Sequence, residues 1–147
     1  MHSSGLIQLI DGRAESLTRT VLQDLLLNPR TPSVRAVPRD ELAARITALY
    51  RNLARWLAEH DDNAVRSAYE DWGRTRFKQD IPLSEIAYGV LLAKDHLRRY
   101  ARDHGLAELQ AVEATIGEFF DRALYYLVRG YEMQAATPPR SARGLLA

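Results

Sequence analysis

The chain has no cysteine. Disulfides, thiolate nucleophiles and cysteine-ligated zinc are therefore excluded. No apolar run reaches the 18 residues of a membrane-spanning helix, and the N-terminus lacks the charged region followed by an apolar core that marks a secretory signal. These absences point to a cytoplasmic protein that does not enter a membrane. Charge of one sign is not in excess either. Twenty basic residues face 19 acidic ones, for a formal net charge of +1 and a pI of about 8.1. Nucleic acid is not an expected partner, because no electrostatic footprint is present for it. Only Lys78 and Lys94 among the basic residues are lysines. There is no G-x-S-x-G elbow, no glycine-rich phosphate loop and no pair of histidines four residues apart. No segment alternates apolar and polar residues with period two, so no sheet is predicted. No internal repeat or low-complexity segment occurs.

What remains is helical periodicity. A first helix, capped by Ser3 or Ser4, runs to about residue 27 on the stripe Leu6, Ile10, Ala14, Leu17, Val21 and Leu25, with Gly12 as a point of bending or interruption. Pro29 and Pro32 end it, and a loop leads to Pro38. The second helix presents Leu42, Ile46, Leu49, Tyr50, Leu53, Trp56 and Leu57 on one side, with Asp40 as its cap. His60-Asp61-Asp62-Asn63 is a polar joint whose Asp or Asn caps a third helix over 64–78. Gly73 lies inside that helix, where it costs about 1 kcal/mol relative to alanine. Such a glycine implies that another backbone or ring comes close.

The joint at 79–82 is sharp. Ile81 precedes a proline and is pushed out of helical geometry, and Pro82 suits the first turn of a fourth helix that runs to about residue 104. Glu85 complements the dipole of that first turn, and Gly105 is a natural C′ glycine. The fourth helix carries Leu83, Ile86, Ala87, Val90, Leu91, Leu97 and Ala101. A fifth spans about 106–134 on Leu109, Val112, Ile116, Phe120, Ala123, Leu127 and Tyr131, and stops at Thr137-Pro138-Pro139. The expectation is one all-α domain of about five helices over 1–136, packed as a bundle or globin-like, with 137–147 as tail or linker. The break at 79–82 favours crossed, globin-like helices.

Chemistry is sparse. His2 is terminal, and His60 and His104 sit at helix ends. His96 lies inside the fourth helix, but far around from the Leu83 stripe. The pairs Asp61-Asp62 and Glu70-Asp71 point about 100° apart on a helix and do not face each other. Lys94 falls in the apolar arc of the fourth helix; it either holds an anion or pairs with an acid such as Asp121 or Glu118. A ligand pocket, if present, is expected from Trp56, Tyr69, Trp72, Phe77, Lys94 and Phe120. A surplus of apolar residues lies off the main stripes: Tyr88 and Leu92 on the back of the fourth helix, and Phe119, Tyr126 and Val128 on the fifth. A helix apolar on two sides needs a second cover, so these five are dimer-interface candidates.

The stretch W-G-R-T-R-F at 72–77, then P-L-S-E-I at 82–86 and L-R-R at 97–99, resembles the N-terminal domain of RsbR-type stressosome co-antagonists. The same domain type heads some bacterial sensor kinases and transcription regulators. Trp56-Leu57 and the approach at 69–73 fit the pattern, which spans roughly residues 17–131. The resemblance implies a non-haem, globin-like domain that dimerises and serves as the input module of a larger signalling protein, with an output domain or partner protein downstream. It implies no catalytic residues, no metal and no cofactor. Two rival expectations stand beside it. One is a haem or tetrapyrrole sensor with His96 or His104 as axial ligand, and the other is a small enzyme using Lys94 and a nearby carboxylate.

Overall fold

The computed structural model describes residues 2–137. Residues 138–147, with the predicted proline stop and tail, lie outside the described residues. Among the described residues the chain is all-α, as predicted, with no strand: α1 (His2–Leu27), a 3-10 turn (Ser33–Ala36), α2 (Arg39–Glu59), α3 (Asp62–Lys78), α4 (Leu83–Asp103) and α5 (Leu109–Ala136).

Most boundaries fall where the sequence puts them, and three do not. Ser3 and Ser4 lie inside α1, which already runs from His2. Pro38 occupies the cap position of α2 and leaves Asp40 in the first turn beside Glu41, where both carboxylates favour the dipole. Asp61 does cap α3, accepting from the Ala64 N–H at 3.1 Å. The fifth helix begins at Leu109, three residues later than expected. The reason is the way α4 ends. Gly105 takes φ +61°; its N–H returns to the Arg102 carbonyl at 3.1 Å and that of Leu106 to Ala101 at 3.3 Å. That paired closure holds the chain out of helix at 105–106.

The joint between α3 and α4 uses the same closure without a glycine. Asp80 has φ +59°; its N–H bonds to the Phe77 carbonyl at 3.0 Å and that of Ile81 to Arg76 at 3.2 Å. Pro82 then opens α4 from an extended conformation.

Helix α3 packs on α5, α1 packs on α2 and α4, and α4 also packs on α5. The α3–α5 contact is backbone against backbone. A Cβ on Gly73 would lie 2.1 Å from the Leu127 carbonyl oxygen, and one on Gly130 would lie 2.0 Å from that of Glu70. The close approach expected at Gly73 is thus present, with Gly130 as its counterpart.

The second apolar side of α4 is covered by the chain itself. Tyr88, Leu92 and His96 follow one another at intervals of four, and this side faces the end of α1. The Arg30 guanidinium lies 5.5 Å over the Tyr88 ring, and His96 Nε2 is 2.8 Å from Asp24 Oδ2. Leu92, expected on the back of the helix, is buried, whereas Leu91, expected in the stripe, is exposed. At the centre of the core, Tyr50 Oη donates to the Ala93 carbonyl at 2.8 Å.

Candidate functional site

Thr31 and Glu85 set up the site. The Thr31 hydroxyl, fully buried, donates to the Leu25 carbonyl at the end of α1 at 2.7 Å. Glu85, in the first turn of α4, accepts the N–H groups of Ser33 at 2.7 Å and Val34 at 3.2 Å through one oxygen. These are leading amides of the 3-10 turn, for which Pro32 offers no side-chain acceptor. The segment 31–37 is in this way strapped across α1 and α4. Under it lies an apolar cavity of about 40 Å³, walled by Leu25, Val34, Ile46, Ile81, Ile86 and Val90 among others.

Four polar residues interrupt this lining: Arg45, Trp72, Arg76 and Glu85. Arg76 is 3% exposed. Its Nη1 donates to Glu41 Oε1 at 3.0 Å and to Gln79 Oε1 at 2.6 Å. Gln79 Nε2 donates to the same Glu41 oxygen at 3.1 Å. Arg76 Nη2 and Trp72 Nε1 are buried and have no hydrogen-bond partner. Burial pulls the Arg76 pKa below its ordinary value, with Glu41 opposing. Glu41 is held below the usual carboxylate range by the hydrogen bond from Gln79, against its own partial burial, and by Arg76.

The residues expected to form a pocket are dispersed. Trp72 lines the cavity. Tyr69 and Trp72, 5.8 Å apart by ring centroids, line a second cavity of about 30 Å³ with Arg45 and Asn52. Trp56 packs on Phe119 at 5.8 Å, Phe119 on Tyr69 at 6.1 Å, and Trp56 Nε1 donates to Asp62 at 3.0 Å. Four rings thus run through the core from Trp56 to Trp72. Phe120 joins this run edge-on to Phe119 at 5.6 Å and also meets Tyr50 at 6.4 Å, whereas Phe77 meets Tyr131 at 5.2 Å. Lys94 is half-buried on α4 and lines neither cavity. Its expected partner Glu118 binds Arg122 at 2.7 Å. The polar members Arg45, Arg76 and Glu85 were not anticipated. Arg76 stands four residues after Trp72, which places both on one side of α3, but no residue type separates a buried arginine from its solvated neighbours.

His96 and His104 do not present an imidazole to an enclosed space. His96 is more buried than its distance from the Leu83 stripe implied, because α1 covers that side, and its Nε2 is engaged with Asp24. His104 is exposed, stacks on Tyr100 at 4.4 Å and has Nδ1 2.9 Å from the Tyr100 carbonyl. Among the described residues no histidine lines either cavity. These residues do not fit an axial haem ligand. Among the described residues no group of three or more potential metal ligands occurs, and no helix is long and apolar enough to cross a membrane.

Of the five interface candidates, Phe119 is 0% exposed and Leu92 is 8% exposed. Both are spent on the chain's own core and have no surface left for a partner. Tyr88, Tyr126 and Val128 are half-buried. Beside them on α5, Tyr125 is 59% and Met133 42% exposed; eight residues apart, they share one helix face.

The model of the family described as the RsbT co-antagonist protein rsbRD N-terminal domain matches residues 14–142. No curated protein and no solved structure matches the chain.

Proposed function

Because the chain belongs to the RsbT co-antagonist rsbRD N-terminal domain family, we propose that it is the non-haem, globin-like sensory module of a stress-signalling system. It works in the cytoplasm as a homodimer and relays its state to an output domain or a partner protein of a stressosome. The family match over most of the chain carries this reading, since the family is a regulatory one and not a family of enzymes. Residues 1–136 are the sensory domain and 137–147 the passage to what it controls.

The relay runs through α5. Tyr131, near the end of that helix, donates to the Ile81 carbonyl at 2.8 Å, and Ile81 is part of the cavity wall. A change in the cavity reaches the last turns of α5 through this one bond and the Phe77–Tyr131 ring contact. The outer face of α5, with Tyr125 and Met133, meets the second copy. An input that favours one of two arrangements of this end shifts the population by its difference in affinity for the two.

Sedimentation equilibrium combined with hydrogen exchange tests the proposal. A two-chain mass, with Tyr131→Phe loosening the amides of the last α5 turns, is the expected result. A one-chain mass up to about 100 μM, a concentration at which even weak biological dimers assemble, would reject the dimer. Unchanged exchange in Tyr131→Phe would reject the relay.

A further inference from the structure

We propose that the cavity beneath the 3-10 turn binds a short aliphatic carboxylate, whose oxygens accept from Arg76 Nη2 and Trp72 Nε1. This deepens the sensory reading by naming a ligand class for it. The binding itself stands on the cavity alone.

Two buried N–H donors without acceptors belong to residues on one cavity wall. Buried donors are nearly always paired, and two together, one turn apart on α3, mark the place of a missing acceptor. Formal charge around the cavity is balanced, Arg45 and Arg76 against Glu41 and Glu85, so it is the two free donors and the shape of the guanidinium that select a carboxylate. Arg76 is 3% exposed and shares one oxygen of Glu41 with Gln79. Arg45 adds a second positive charge to the wall. Glu85 is also on the wall, but its accepting oxygen is committed to the amides of Ser33 and Val34. A carboxylate supplies two acceptor oxygens and matches a guanidinium in both charge and geometry. The rest of the lining, Leu25, Val34, Ile46, Ile86 and Val90, suits an alkyl tail and offers it no polar partner. A space of about 40 Å³, against about 150 Å³ for a cavity that holds benzene, admits the carboxylate and its first carbons, and a longer tail extends through the open side of the cavity.

The two tryptophans supply the probe. Trp56 Nε1 already donates to Asp62, whereas Trp72 Nε1 has no partner. Their indole signals in a nitrogen–proton correlation spectrum report on each site separately, with Trp72→Phe assigning them. Titration with butyrate and hexanoate is expected to move the Trp72 signal downfield and saturably while the Trp56 signal stays. Hexanol, with the same tail and no charge, binds at least about tenfold more weakly, the difference expected of a charge-assisted contact.

Arg76→Gln weakens hexanoate by about tenfold or more. Because loss of this buried guanidinium also threatens the fold, Trp72→Phe is the second variant. It keeps an aromatic ring, removes the N–H, and weakens hexanoate about fivefold by calorimetry. The proposal is overturned by no saturable shift up to about 10 mM ligand, by equal binding of hexanol, or by unchanged binding in Trp72→Phe. Such a failure leaves the dimer and the relay standing. A one-chain mass would remove the dimer and leave the binding result intact.

Discussion

Glu85 acts across 52 positions of sequence as a local capping residue acts across three, because the amides it serves belong to the 3-10 turn and not to its own helix. Glu85→Ala leaves the Ser33 and Val34 N–H groups without their acceptor, at about 1–3 kcal/mol for buried donors. Glu85→Gln keeps an oxygen in place and costs less. Urea denaturation gives the loss of stability, and faster exchange at the two amides locates it in the strap; equal loss in both variants would contradict this account. Asp24 makes a prediction with pH. Burial raises its pKa, but the hydrogen bond from His96, then that from Asn28, outweigh burial and hold the carboxyl below its ordinary 3.8. A carboxyl depressed on folding stabilises the native state above its unfolded pKa and loses that contribution as pH falls through the folded value. The melting temperature should therefore fall below about pH 4, and Asp24→Asn should show less of that fall while being less stable at neutral pH. Identical acid profiles for the two proteins would remove the pair as a cause. Asp80, at φ +59° and exposed, gives a change of opposite sign. Asp80→Gly relieves a conformation that glycine adopts freely and should raise stability by about 0.5–1 kcal/mol.

At the scale of the helix, the contact between α3 and α5 sets the most severe prediction. The atoms that a Cβ at Gly73 or Gly130 would strike are backbone atoms, which cannot swing aside as a side chain can. The two helices must separate, and the rings packed around them lose contact. Gly73→Ala and Gly130→Ala should each cost about 2–4 kcal/mol, above the usual range for overpacking. Alanine at a solvated helix position would instead gain about 1 kcal/mol over glycine, so the sign of the change in denaturation midpoint decides the matter. In the double variant the cost is less than the sum, because helices already pushed apart by one methyl make room for the other. Gly73 was legible in the sequence because a glycine inside an otherwise apolar-periodic helix asks for a reason. Gly130 gave the same signal in the fifth helix but is flanked by Arg129 and Tyr131, which read as ordinary surface and stripe. The helices themselves were legible for a related reason: Leu42 to Leu57 and Ile86 to Ala101 repeat at helical spacing, and every core helix must show that period. The second cover of α4 was not legible, because one helix cannot say whether α1 or another molecule lies behind Tyr88 and Leu92.

For the whole molecule, the same ambiguity divides what belongs to the fold from what belongs to a partner. The candidate site was only partly readable. Trp72 announced itself as a large ring beside a glycine, but Arg76 differs from the half-buried Arg74 in where Glu41 and Gln79 fall, and Glu41 comes from a different helix. Phe119 and Leu92 turned inward once α1 and α3 were in place, and what the fold leaves uncovered on α5 is Tyr125, 59% exposed, and Met133, 42% exposed. Arg129 lies between them on the same face, 3.5 Å from Glu70 and hydrogen-bonded to the Tyr125 side chain. In a two-fold dimer the same patch is present on both sides, so every substitution in it acts twice. Tyr125→Glu combined with Met133→Glu places four carboxylates in one interface and should raise the dissociation constant by about a hundredfold or more, the scale of losing central interface residues. Neither residue supports the core, so the unfolding free energy measured below the dissociation constant should stay within about 1 kcal/mol of wild type. Sedimentation then separates two pictures of the same surface. A two-chain mass that falls to one in the double variant assigns this face of α5 to the second copy, and places the end of the helix that touches Ile81 beside its symmetry mate. A mass that the substitutions leave unchanged makes Tyr125 and Met133 scattered surface apolar residues of the ordinary kind, and would move the search for the interface to the exposed Leu27 and Leu91 on α1 and α4.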